Sequence, residues 1–435
     1  MTRSLLRFAA LIALSGGSTH SIAQDVITEW NQELLESIRL ENTAPPAAGR
    51  AMAMVHVAAF EAVNSIDRNY RPYTTYYDCP EGTNKQAAAA VASRNTLASL
   101  FPARTAVFDA RLAAQLAAIP DGAGKLDGIS LGNSAASGLL ASRLNDGSSN
   151  PAPFVPDGTL PGQWRRTAPA FADPALPQWR NVRPFTVASA TQFAIAPVPA
   201  LDSAAYTAAY NEVRDLGSAT SATRTAYDTD TAFLWRAGGN TVTPPGQWNQ
   251  AAQQISVSRG LTIQENARMF ALLGIAEADA GITCWEGKYS SMFWRPITGI
   301  REGDADTNGD TVGDAAWTPL FATPNHPSYA SGHSTFSSAA ATILAQFLGG
   351  DAATFTITGD GRSREYTSLN AAMEDAGMSR IFGGIHWQFD NQEGLACGTA
   401  IGTYVFANAL TVPAPSVAMA FVALGVGFGR RVRRR

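Results

Sequence analysis

Residues 262–296 read TIQENARMFALLGIAEADAGITCWEGKYSSMFWRP, and this stretch decides the fold. Across 262–285 apolar residues recur three and four apart, the period of a helix with a buried face. Lys288 and Arg295 follow directly. If the helix continues, these two cations lie about two turns apart, and Pro296 then ends it or redirects the chain.

Outward from this stretch the same period recurs. It covers 27–42, 47–66, 85–101, 104–119 and 129–144, then 203–216 and 223–236, and later 334–348, 369–376 and 385–410. Gly349-Gly350 closes one of these helices. Between 145 and 185 the pattern gives way to Pro, Gly, Asp and Trp. A loop that long is a wall, a lid or a linker. Trp164 and Trp179 within it favour a packed loop. No strong period-two alternation and no internal repeat stand out. The expectation is an all-α protein of about a dozen helices, in one bundle or two packed together. With 435 residues, 46% hydrophobic and only 16% charged, the chain can bury a large core and is not disordered in bulk.

Both ends read as processing signals. Arg3 and Arg7 precede an apolar run at 8–14, and Ser21-Ile22-Ala23 offers a small-residue cleavage site, the layout of a secretory signal peptide. The alternative, an uncleaved anchor, has too short an apolar run to span a bilayer comfortably. At the other end an apolar run at 417–428 is followed by five arginines in the last six residues. That tail resembles a PEP-CTERM sorting signal, with Ala414 where the pattern prefers Glu; a plain anchor or a frayed basic tail is the alternative. The expected organisation is a signal peptide at 1–23, an N-terminal helical region at 24–260 containing the 145–185 loop, a catalytic helical region at 261–411, and a sorting or anchor segment at 412–435. Export to the periplasm or cell surface of a Gram-negative bacterium follows, with sorting or membrane machinery as a partner. The formal charge is −4, and the two ends hold seven of the 32 Lys+Arg and no acid. The part between them is more acidic still, which excludes nucleic-acid binding through the overall field. Cys79, Cys284 and Cys397 contain no CxxC pair, so zinc is not indicated. Cys284 and Cys397 read as small buried residues, while export would permit one disulfide.

Three segments carry chemistry. The first is Lys288 to Arg295-Pro296. The second, His326-Pro-Ser-Tyr-Ala-Ser331-Gly332-His333-Ser334, runs into a helix whose free N–H groups make an anion site, and Gly332 lets the backbone approach closely. The third is Ser379-Arg380 to His386 and Asp390. Arg380 brings a planar fork suited to oxyanions, and His386 and Asp390 share a face if helical. Three of the five histidines lie in these segments; His20 belongs to the signal, and His56, on an apolar helix, reads as structural.

The pattern K-x6-R-P, then S-G-H, then S-R-x5-H-x3-D resembles the vanadium-dependent haloperoxidases and the related type 2 phosphatidic acid phosphatases. The motifs cover 288–390. The resemblance implies a helical bundle fold of that kind and a vanadate cofactor. It implies His386 as the vanadium ligand, or as the nucleophile in a phosphatase. Lys288, Arg295, Ser331, Gly332 and Arg380 become the cradle for the other oxygens, His333 the acid–base group, and Asp390 the holder of the imidazole. Trp285 resembles a tryptophan beside the halide in chloroperoxidases. His326 occupies a position that is aromatic in those enzymes and histidine in algal bromoperoxidases. A histidine there is expected to titrate near neutral pH and favour bromide or iodide over chloride. Hydrogen peroxide, halide and a small organic acceptor are the implied partners. A phosphatase, and an exported protein of this fold without turnover, remain alternatives. Oligomeric state stays open, a homo-oligomer included.

Asp304, Asp306, Asn308, Asp310 and Asp314 place oxygens at alternate positions around Gly309, as calcium loops do, but Ala315 stands where Glu usually closes the cage. The alternative is a polar surface loop.

Overall fold

Helix α1 (Val26–Leu40) begins where the Asp25 carboxylate accepts the Thr28 N–H at 3.0 Å, a side-chain N-cap. The computed structural model describes residues 25–413. The expected signal peptide and nearly all of the expected C-terminal segment lie outside the described residues. Helices α2 (Pro45–Asp67), α3 (Lys85–Leu100), α4 (Thr105–Ala117) and α5 (Ala123–Ser142) follow. After the long loop come α6 (Ala204–Leu216), α7 (Ala226–Leu234), α8 (Thr243–Arg259) and α9 (Ile263–Ser291). The short α10 (Pro296–Arg301) and α11 (Gly332–Leu348) precede a hairpin of β1 (Ala352–Gly359) and β2 (Arg362–Ser368). Helices α12 (Leu369–Phe382) and α13 (Gln388–Asn408) complete the described chain. The protein is mostly helical, as the apolar period required.

Helix α9 is the central rod. Helix α2 packs along it from the N-terminal half, and α11 and α13 from the C-terminal half, so one hydrophobic core runs through both halves. Close approach depends on glycine: a Cβ on Gly274 of α9 would lie 2.8 Å from the Ala53 nitrogen of α2. Gly394, Gly398 and Gly402 recur four apart on α13, and a Cβ on Gly398 would collide with the Thr335 carbonyl of α11. This pairing fixes where α11 begins, and its beginning is the site.

Two elements depart from the sequence expectation. Helix α8 hides behind Pro244-Pro245, which sit in its first turn where no N–H donor is needed. Its inner face buries Gln247, Asn249 and Gln253 among its apolar residues, which blurs the apolar period. The hairpin was not expected either. Phe355, Ile357 and Tyr366 point inward between polar neighbours, and Asp360-Gly361 turn with positive φ of 46° and 74°. The 145–185 loop is packed: Trp164 and Trp179 are buried within it. All three cysteines are free, with Cys284 and Cys397 buried. His56 is buried, bonds Asn31 Oδ1 through Nε2 at 2.9 Å, and is pushed down to about 3 by burial.

Candidate active site

Lys288 stands on the last turn of α9, completely buried. Its ammonium donates to the carbonyls of Ser328 at 2.9 Å, Pro327 at 3.2 Å, and Ala330. The helix does not continue to Arg295. Met292 caps α9 in the left-handed region (φ 48°), donating to the Lys288 carbonyl at 3.0 Å, and Pro296 starts α10. The expected two-turn spacing is therefore corrected: a tight reversal, not a shared helix face, brings Arg295 back beside the site.

Arg295 is completely buried and uses its whole fork. Nε donates to the His326 carbonyl at 2.8 Å, and Nη1 to the Ile385 carbonyl at 2.7 Å. Nη1 also lies 3.1 Å from His386 Nε2, and Nη2 lies 2.8 Å from His326 Nδ1.

His386 and Asp390 do pair, but not on a helix face. His386 precedes α13, Trp387 is the N-cap, and Asp390 sits in the first turn. One carboxylate oxygen of Asp390 collects three donors: the Trp387 N–H at 3.1 Å, His386 Nδ1 at 2.8 Å, and the Ser328 hydroxyl. Capping geometry thus does what helical spacing was expected to do. The hydrogen bond assigns the proton to Nδ1, leaving the lone pair on Nε2. Burial, then Arg295 and Lys288, hold the imidazole well below its ordinary pKa, so it is neutral. Burial raises Asp390 to about 6 against the opposing Ser328 and Trp387 hydrogen bonds and the nearby cations. Near neutral pH it is ionised.

Ser331 caps α11; its oxygen accepts the Ser334 N–H at 3.3 Å and the Ser334 hydroxyl at 2.8 Å. The Gly332 and His333 N–H groups open the helix, where no intrahelical acceptor exists. A Cβ on Gly332 would meet nothing nearer than the Trp285 ring at 3.6 Å, so the protein leaves that space open. His333 Nε2 is buried and has no hydrogen-bond partner among the described residues. Burial, Arg380 and Lys288 hold this ring well below its ordinary pKa. Helix α12 runs past its expected end and carries Arg380, whose Nη2 donates to the Trp235 carbonyl at 3.0 Å. Burial first, then Arg236 and Arg295, push it down to about 9, still a cation at neutral pH.

These residues surround a cavity of about 740 Å³. Gly332, His333, Arg380, His386, Trp285 and His326 line it, with Lys288, Arg295, Ser331 and Asp390 behind that lining. The N-terminal half contributes the far wall, through Asn42 to Pro45 and the loop before α8. Trp285 and His326 face each other with ring centroids 5.1 Å apart. The expectation that His326 titrates near neutral pH is corrected. Burial and the two cations Arg295 and Lys288 hold it well below its ordinary value. Sequence reasoning gave no role to Ser328, although it lies inside the second segment, and missed Arg236, which joins the cavity wall only through the fold.

The expected calcium loop is also corrected. Asp304 accepts the Gly313 N–H at 2.8 Å, Asp306 the Asn308 N–H and Thr311 hydroxyl at 2.9 Å, and Asp314 the Ala316 N–H at 2.9 Å. Asn308 accepts the Asp310 N–H at 3.0 Å. The oxygens close turns on their own backbone instead of converging. Among the described residues no group of three or more His, Cys, Asp or Glu is placed to hold a metal ion.

Residues 268–413 match the family model of the VCPO second helical-bundle domain. A vanadium chloroperoxidase of Curvularia inaequalis is 26% identical over 223 residues, which is 38% of this chain and 37% of that protein. The match thus spans little more than a third of that relative's length. A crystal structure described as the first bacterial vanadium-dependent iodoperoxidase is 27% identical, with a TM-score of 0.77 over 89% of this chain and 97% of that one. A holo-type bacterial vanadium-dependent chloroperoxidase shares the fold, with a TM-score of 0.67 at 17% identity over 84% of this chain and 91% of that one.

Proposed function

We propose that the chain is a vanadium-dependent haloperoxidase, which oxidises halide with hydrogen peroxide at a vanadate held by His386. One observation carries the reading. Lys288, Arg295 and Arg380 are all buried around the unprotonated Nε2 of His386, which Arg295 Nη1 approaches to 3.1 Å, and Asp390 is the fully buried carboxylate that faces them among the described residues. Buried cations without a counter-charge are costly, and a tetrahedral oxyanion supplies it. The residues fit such a group. The open space over Gly332, the unpartnered N–H groups of α11 and the orphaned His333 Nε2 all face the same cavity.

His386 Nε2 would be the ligand; Arg380, the Ser331 hydroxyl, the Gly332 N–H and the remaining Nη2 hydrogen of Arg295 would hold the other oxygens, and Lys288, whose three protons go to carbonyls, would supply positive charge behind them. Asp390 positions the imidazole and keeps its proton on Nδ1; Ser328 in turn positions Asp390. His333 moves a proton at Nε2. Bound vanadate supplies a Lewis acid that polarises peroxide for attack by halide. Trp285 and His326 flank the halide. His326 acts as a neutral polar wall, which favours iodide or bromide over chloride because it excludes water less well than an aromatic ring. The iodoperoxidase likeness supports the same preference. A small organic molecule takes up the oxidised halogen.

Peroxide-dependent halogenation of a trapping dye, requiring vanadate and suppressed by phosphate, tests the reading. Aryl phosphate hydrolysis suppressed by vanadate would assign His386 as a nucleophile at phosphorus instead. Folded protein with neither activity would leave a non-catalytic role. Export rests on the two terminal patterns and is tested by fractionating cells that express the full chain. Among the described residues no helix is long and apolar enough to cross a membrane.

A further inference from the structure

We infer that the outer part of the cavity is a subsite for an aromatic acceptor carrying a carboxylate, anchored by Arg236. The identification of the ligand as an acceptor rests on the haloperoxidase reading; its binding does not.

The cavity volume of about 740 Å³ lies in the range of about 300–1,000 Å³ in which pockets hold organic molecules. An oxyanion and a halide occupy only its inner end. The outer wall is apolar and aromatic: Phe233 and Phe321 meet edge to face with centroids 5.1 Å apart, beside Leu176, Pro45 and Pro244. Such a wall takes a flat ring.

Charge selects what the ring carries. Arg236 and Arg380 both place their guanidinium carbons 5.7 Å from the Phe321 ring centroid. Arg236 is tethered by Asp360 at the hairpin turn, Nε to Oδ2 at 2.7 Å, while Nη2 reaches the other oxygen only at 3.5 Å. Nη1 makes no hydrogen bond among the described residues. The Nη1 side of the fork is therefore unpaired, on a half-exposed side chain that lines the cavity. That side matches a carboxylate bidentately. Arg380 belongs to the oxyanion cradle, so Arg236 is the cation left for the outer part of the cavity lining.

A buried hydroxyl independently marks the place as a ligand site. Thr243 is 4% exposed, lines the cavity, and its Oγ1 has no partner. The Thr323 hydroxyl, also in the lining, is likewise buried and unpartnered. Buried hydroxyls are otherwise almost always bonded. A phenol or carboxylate oxygen supplies what they lack.

The test is calorimetric titration of vanadate-loaded protein with 4-hydroxybenzoate and, as the uncharged control, phenol. Loading with vanadate keeps the carboxylate out of the inner cradle. Wild type should bind the acid at least about tenfold more tightly than phenol, the scale of one charge-assisted pair. Arg236→Gln should lose that advantage and leave phenol unchanged. Arg236→Lys, which keeps the charge without the fork, should lose part of it, and Thr243→Val should weaken the acid several-fold. No binding of the acid by wild type, or equal affinity in wild type and both Arg236 variants, would overturn the inference. Triiodide formation needs no organic acceptor. Measured on the same wild-type sample, it tests the enzyme reading separately, so either can fail alone.

Discussion

Replacing Arg295 with lysine separates geometry from charge at the centre of the site. The guanidinium is completely buried and reaches four acceptor atoms: the His326 and Ile385 carbonyls, His326 Nδ1 and His386 Nε2, at 2.7 to 3.1 Å. Burial pushes Arg295 down to about 10, so it stays a cation at neutral pH. A lysine keeps that cation but ends in one nitrogen on a shorter reach. It cannot serve His326 and Ile385 on opposite sides at once. At least one buried acceptor is then left unmade, at a cost of about 1–3 kcal/mol in stability. The oxyanion loses a directional charge-assisted hydrogen bond worth roughly 1.5–3 kcal/mol, which is about a 10- to 100-fold weaker Kd. The assay is the rise in melting temperature with added vanadate, repeated with phosphate, because a ligand that binds only the folded state stabilises it by mass action. Arg295→Lys should melt lower without ligand and need correspondingly more oxyanion for the same rise. An unchanged oxyanion midpoint, within about twofold, would show that the fork is not part of the cradle.

The other expectations are simpler. His326→Phe should raise kcat/KM for chloride relative to iodide, because an aromatic ring beside Trp285 excludes more water; an unchanged ratio across the three halides would remove His326 from halide choice. Calcium chelation should leave the melting temperature unchanged, since Asp304, Asp306 and Asp314 already bond their own loop; a chelator-induced fall that Asp306→Ala abolishes would restore the calcium loop. Glu277 is completely buried on α9, with Asn249 donating to one oxygen at 2.9 Å and none to the other. Burial holds its pKa well above the ordinary value, so the folded state keeps a proton that the unfolded chain releases. Its stability contribution is therefore present below the ordinary carboxyl range and lost as pH rises toward the folded value. Glu277→Gln should flatten the fall in melting temperature as pH rises above the ordinary carboxyl range; an unchanged slope would show that Glu277 does not cause it.

Most of the helices could be read from apolar period alone, because a helix with one buried face writes that period directly. Where the buried face is itself polar, as with Gln247, Asn249 and Gln253 on α8, the period fades although the helix is well packed. The hairpin escaped because its inward positions are Ala353, Phe355, Ile357 and Tyr366, too short a run on either strand to stand out. At the site, residue identities were readable but the geometry was not. Lys288 and Arg295 meet through a left-handed turn at Met292, and His386 meets Asp390 across a helix N-cap; spacing alone suggested a continuous helix in both places. The charge state of His326 depends on burial beside Arg295 and Lys288, which composition does not reveal. Arg236 lies far from the motif segments in sequence and reaches the cavity because α7 packs against α12.

The central claim is that His386 Nε2 holds a vanadate that halide oxidation requires. The direct measurement is bound vanadium and peroxide-dependent triiodide formation on the same samples of wild type and His386→Ala, with circular dichroism to establish that both are folded. Wild type should retain about one vanadium per chain and lose activity when it is removed, while His386→Ala should fold, retain none and form almost no triiodide. Equal vanadium content and equal activity in the two proteins would contradict the account.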